Sequence, residues 1–199
     1  MRVLMLCDDH WHPGKVPIEG VSPLKERDIQ FDFVTDAGEF KPEMLAKYPV
    51  ILLCKCDEVS NTDKTSWKND VIRQALIDFV ENGGGLLVIH SGLVAGEDTE
   101  NLDRLIGSRF TFHPKDSPVT VQPVKPHPVT EGVEMFCEID EHYRLEIIAD
   151  DIDIFMASYS PPQGDEAKYD EDPVNNTRAW IGAAGYARAN KGSAVNCNR

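Results

Sequence analysis

The sequence predicts an α/β protein with a mainly parallel sheet covered by helices on both faces, and three observations carry that prediction. Four short apolar runs, RVLMLC (2–7), FDFV (31–34), VILLC (50–54) and LLVIH (86–90), each stop at polar residues. This is the pattern of strands buried on both faces. Between the third and fourth runs, SWKNDVIRQALIDFVENGGG sets Trp67, Val71, Ile72, Ala75, Leu76, Phe79 and Val80 at helical spacing. The alternation of strand, helix, strand and helix is that of strands joined by crossovers.

The elements follow in chain order. The central helix has Thr65 or Ser66 to cap its start and Gly83 to end it. Shorter helices are expected near 42–47 and 98–106, the latter with Leu102, Leu105 and Ile106 on one face. After Gly107 the pattern changes. Residues 113–128 are rich in proline, and PVTVQPV (118–124) reads as an edge strand, where missing N–H groups are tolerated. MFCEI (135–139) and DIFMASY (153–159) read as strands, and 160–177 reads as a loop. A single domain is expected over 1–185. Residues 186–199 lack apolar periodicity and read as a loose tail.

Composition bounds the function. The formal charge is −14, which argues against nucleic acid and anionic membrane surfaces, since both need a basic footprint. Residues 131–172 carry fourteen Asp and Glu against Arg144 and Lys168, so that segment holds most of the excess as a solvated acidic face. Five cysteines stand at 7, 54, 56, 137 and 197. Their odd number and their spacing match neither a disulfide framework nor a zinc pattern. The apolar N-terminal run is too short for a signal-peptide core or a membrane span. A reducing cytoplasm is the expected setting.

In open α/β sheets ligands bind beyond the carboxyl ends of the strands. The first strand is followed by Asp8, Asp9, His10, Trp11 and His12, the third by Lys55 and Cys56, and the fourth ends at His90-Ser91. In the common doubly wound order the first, third and fourth strands are neighbours, so these ends share one rim. GGG (83–85) precedes its strand, whereas a phosphate cradle follows one. The hydrolase elbow G-x-S-x-G needs glycine at 89, where Ile89 stands. Imidazole suits a general base or a metal ligand. His12, His90 and His113, with Glu141, are the candidate ligands for a divalent metal such as zinc.

Several motifs together resemble the ThuA-like family, the trehalose-utilization group within the class I glutamine amidotransferase-like superfamily. They are Trp11-His12 after the first strand, FVENGGGLLVIHSG (79–92), LIGSRFTFHP (105–114), HPVTEGVEMF (127–136) and DEHY (140–143). The resemblance implies a flavodoxin-like three-layer sandwich. It carries over His12, His90, Ser91, His113, His127, Asp140, Glu141 and Tyr143, with His127 and Asp140 as candidates for purely structural roles. Where amidotransferases bear the catalytic cysteine this chain has His90, so glutaminase activity is not expected. The implied function is carbohydrate metabolism, with a small-molecule sugar (trehalose, another disaccharide or an oxidised derivative) as substrate of a hydrolase- or isomerase-type enzyme. In that reading His90, Glu141 and Ser91 are catalytic, and Trp11, His12, His113 and Tyr143 bind substrate. The alternative is a non-catalytic sugar- or partner-binding module. A homo-oligomer is compatible with either. Trp180-Ile181 resembles the family's Trp-containing strand, after which relatives continue with a Gly-Arg-Val type strand, a Gly-His turn and a closing helix. The turn and the helix are not found in this sequence, so a truncation or frame change is the expectation for the tail.

Overall fold

The computed structural model describes residues 1–94, 96, 98–161 and 180–189. The chain divides into two compact units, one built on Met1–Arg109 and one on Phe110–Arg188. Among the described residues no helix is long and apolar enough to cross a membrane.

The first unit holds the expected parallel sheet. Its strands are β1 (Arg2–Cys7), β2 (Gln30–Val34), β3 (Val50–Cys54) and β4 (Gly85–Val88), in the order β2-β1-β3-β4. All three pairings are parallel. The expected adjacency of the first, third and fourth strands is therefore present. Alternation along each strand splits its side chains between two cores. Leu4, Leu6, Ile51 and Leu53 pack with Trp67, Ile72, Leu76 and Leu102, whereas Val3, Met5, Cys7, Leu52 and Cys54 pack with Ile18 and Val21. One expectation needs correcting: β2 and β4 are not buried on both faces. They are the edge strands of this sheet, and Phe33 and Leu87 stay 42% and 53% exposed.

The helices of this unit differ in detail from the expectation. The central helix, α2 (Asp70–Glu81), begins later than predicted, capped by Asn69, whose side chain accepts the Ile72 amide. Asp57 holds the preceding segment out of the helix, accepting from the Ser66 hydroxyl and the Lys68 amide. Trp67 is thus a core residue outside the helix, its Nε1–H donating to the Cys56 carbonyl at 2.8 Å. Gly83 ends the segment as expected, with φ +96°. The 42–47 helix is a 3₁₀ helix, Pro42–Lys47, and the later one is α3 (Glu100–Ile106), ended by Gly107 at φ +95°. A short helix α1 (Lys15–Val21) followed by a 3₁₀ turn went unpredicted. It buries no residue fully and is punctuated by Pro17, Gly20 and Pro23, so no apolar stripe marks it.

The second unit is mainly antiparallel, which narrows the expected mainly parallel sheet to the first unit. The chain enters it through β5 (Ser108–Phe112), which pairs with β8 (Arg144–Ile147) in a two-stranded sheet. A four-stranded sheet has the order β10-β9-β6-β7, from β6 (Ser117–Pro123), β7 (Phe136–Asp140), β9 (Asp153–Ser160) and β10 (Trp180–Ala187). The strands predicted at 135–139 and 153–159 are present. The predicted edge strand is instead internal. It accommodates its prolines because β7 pairs with residues 117–121 and β9 with 120–123, so Pro118 and Pro123 each face one partner strand only. β10 carries the chain two residues into the predicted tail; residues 190–199 and the predicted loop from 162 to 177 lie outside the described residues.

Candidate functional site

The parallel sheet delivers three strand ends to one rim of the first unit. After β1 the chain turns sharply at Asp8, which has φ +73°. Asp8 takes the Gly14 amide, and the intervening loop folds around Asp9. Asp9 is 1% exposed and its carboxylate meets four donors. Oδ1 accepts the Trp11 and His12 amides, each at 2.9 Å, and His12 Nδ1 at 2.8 Å; Oδ2 accepts the Cys56 amide at 2.9 Å, tying the loop to the end of β3. Burial opposes ionisation of Asp9, but the His12 hydrogen bond and charge and the Cys56 and Trp11 amides outweigh it. They hold the carboxyl well below the usual carboxylate range.

A buried cation completes the rim. Lys55 is fully buried and its Nζ donates to the carbonyls of Asp8, Thr35 and Val59. One ammonium thus clamps the chain after β1, β2 and β3. Burial lowers its pKa, opposed by Asp9 among other acids. Beside it Cys56 is buried, and burial followed by Asp9 pushes its thiol up to about 12. Burial likewise raises Cys7 and Cys54 to about 11. None of these thiols has the depressed pKa of a reactive nucleophile.

His90 answers for the end of β4. Ile89 is extended, His90 has φ +48°, and a single 3₁₀ turn, His90–Leu93, follows. A non-glycine residue in the left-handed region costs about 1–3 kcal/mol and persists only where its surroundings impose it. Here they do. The Ile89 amide donates to the Leu53 carbonyl, and a Cβ on Gly92 would lie 2.3 Å from that same oxygen. Strand, left-handed residue and helical turn form the local geometry of a nucleophile elbow, with an imidazole at its apex. The His12 and His90 rings meet edge to face at a centroid distance of 5.1 Å, and a ring nitrogen of each lies within 4.8 Å of the other's. Ser91 turns inward. It is fully buried, and its hydroxyl has no hydrogen-bond partner among the described residues.

Trp11 stands out from the same loop, 67% exposed, with the His10 ring against its edge and the Lys64 ammonium 5.0 Å from its centroid. A half-solvated indole face of this kind suits the apolar face of a sugar ring.

In the second unit, His113 and Glu141 form a pair. His113 Nδ1–H donates to the Pro114 carbonyl, and Nε2 is 3.6 Å from Glu141 Oε1, both side chains about one-third exposed. Tyr143 stacks on His113 at 5.7 Å and lies tilted against Phe110 at 4.3 Å. His127 is occupied structurally: its Nδ1 accepts the Val129 amide and its ring stacks on Phe155. Asp140 accepts the Glu141 amide at the end of β7. The neighbouring His142 is buried between two serines, Nδ1 2.6 Å from Ser160 Oγ and Nε2 2.8 Å from Ser158 Oγ. Burial, with help from Arg144, pushes its pKa down to about 4.

The structure therefore brings the sequence candidates together as two pairs, His12–His90 in one unit and His113–Glu141 in the other. Sequence reasoning did not select Asp9, which organises the first pair. Its signal was an acid three residues before a histidine in a short loop after a strand.

A family model for ThuA, described as trehalose utilisation, matches residues 2–189, and the chain belongs to that family. A search of curated proteins gave no match. Among solved structures, a ThuA-like protein from Bacteroides uniformis is 20% identical, with 79% of this chain and 67% of that one covered and a TM-score of 0.60. A ThuA-like protein from Parabacteroides merdae is 16% identical over 79% and 68%, also at 0.60. A glutamine amidotransferase from Thermotoga maritima is 13% identical over 78% and 66%, at 0.51. At these identities the likeness is one of fold.

Proposed function

From membership of the ThuA family we propose that this chain is an enzyme of carbohydrate metabolism acting on a disaccharide of the trehalose type or its oxidised derivative. The reaction is of hydrolase or isomerase type and centres on His90 and His12. The observation that carries the reading is the elbow: a strained apex residue at the end of a parallel strand is where α/β enzymes present a reacting group. Here that group is an imidazole, which moves protons near neutral pH. His12 beside it is backed by a buried carboxylate, and Trp11 offers a stacking face. His113 and Glu141 are the second proton-transferring pair, and Tyr143 is a substrate contact. Ser91, buried as it is, supports the elbow from within. Glutaminase chemistry is not proposed, because the apex carries no thiol and the three rim cysteines are protonated.

The donor set also fits a divalent metal. Two imidazoles with ring nitrogens within 4.8 Å, one hydrogen-bonded to a buried carboxylate, resemble the outer-shell arrangement of histidine zinc sites. His12 and His90 would hold the ion, and the ion would act as a Lewis acid toward a sugar oxygen. We read the first unit as the flavodoxin-like three-layer core and the chain as cytoplasmic, without nucleic-acid or membrane partners.

The test is a panel of disaccharides and their oxidised derivatives incubated with the purified protein and read by mass spectrometry. New sugar products support the enzyme. Saturable binding with no product at any pH or with added zinc would establish the alternative, a binding module.

A further inference from the structure

We propose that Asp9 is the positioning residue of the site, fixing His12 in the tautomer that carries its proton on Nδ1 and its lone pair on Nε2. The proposal rests on the reading of His12 as a working imidazole. An ionised carboxylate only accepts hydrogen bonds. A ring nitrogen 2.8 Å from Asp9 Oδ1 must therefore supply the hydrogen, which in the neutral ring leaves Nε2 as the base or ligand atom.

Three features make this a fixture and not a passing contact. The oxygen that holds the ring also holds the His12 backbone amide, so the side chain is anchored at both ends. The other oxygen is pinned by the Cys56 amide, which fixes the carboxylate to the end of β3. The Trp11 amide shares Oδ1, so the exposed indole and the imidazole are referenced to one atom. Lys55, clamping the carbonyls of Asp8 and Val59, holds the backbone on either side. Asp9 touches neither sugar nor metal in this account. It acts through His12, by setting which ring nitrogen is left as the base or ligand atom.

Nitrogen NMR of protein labelled at histidine tests this on the full chain, with the His12 signals assigned by their loss in His12→Gln. The expected result is the Nδ1–H tautomer in the wild type. In Asp9→Ala the fixed Nδ1–H tautomer of His12 should be lost, leaving exchange between the two ring tautomers. A wild-type His12 protonated on Nε2 would overturn the proposal, as would an Asp9→Ala protein that folds and keeps the Nδ1–H form alone. Should that variant fail to fold, the wild-type tautomer decides alone. The readout is independent of sugar turnover. A protein that turns over no sugar sinks the proposed function and leaves this result standing, and an active protein with the opposite tautomer does the reverse.

Discussion

His12 Nδ1 and Asp9 Oδ1 lie 2.8 Å apart, and the same oxygen accepts the backbone amides of Trp11 and His12. The first strand therefore ends in a loop whose side-chain chemistry and backbone shape depend on one buried carboxylate. Asp9→Ala would leave buried amides and an imidazole without their acceptor, and we expect it to destabilise the protein by about 3–5 kcal/mol. Urea denaturation at pH 7 measures this. The folded pKa of Asp9 is depressed below 3.8. Its stabilisation is thus fully present above the unfolded value and lost as pH falls below about 4. A wild type that keeps its stability down to pH 2 would contradict this.

His142 gives a different acid response, in a higher window. Its folded pKa, about 4, lies below the unfolded 6.5. The unfolded chain therefore binds the proton first. The contribution is complete above pH 6.5 and is lost as pH falls toward 4, amounting to about 3 kcal/mol. Hydrogen exchange of the β9 amides should accelerate over that interval in the wild type. In His142→Gln the acceleration should be absent.

Two glycines at the ends of β4 separate close approach from backbone conformation. Gly92→Ala places a methyl 2.3 Å from the Leu53 carbonyl and 2.8 Å from Val88 Cγ1. It must move the elbow, at a cost of about 2–3 kcal/mol. Gly83 has φ +96° but open space around it. Gly83→Ala should cost only about 1–2 kcal/mol, with no change at His90. Melting curves and the His90 NMR signals report both. Equal effects from the two substitutions would contradict the assigned packing.

Zinc binding is expected to follow the His12–His90 pair. Wild-type protein titrated with zinc by calorimetry should take up the ion, and His90→Ala or His12→Ala should lose at least tenfold in affinity. Unchanged affinity in both variants would place any zinc elsewhere.

Much of the first unit was legible in the sequence because three of its strands are unbroken apolar runs and the fourth, β2, is interrupted only by Asp32. The runs at 50–54 and 86–90 led directly to the rim, and the family resemblance set His90 where amidotransferases bear the catalytic cysteine. The start of α2 was misread because Trp67 fits the helical period. It is held outside by Asp57, a contact that spacing cannot reveal. The second unit was harder. Its β7 has every residue exposed and so lacks an alternating signature. The prolines of β6 suggest an edge until the staggered pairing of its two neighbours is known. Asp9 was placed on the rim after the first strand but not selected, because its partners, the amides of Trp11, His12 and Cys56, meet it only once the loop closes.

The most direct test of the account is turnover by His90→Ala on whichever sugar of the disaccharide panel the wild type converts. The account predicts that the variant folds, still binds the sugar within about threefold of wild type, and loses turnover by 10²–10⁴-fold, the usual contribution of a general acid–base group. A His90→Ala protein that converts the sugar at the wild-type rate would contradict it.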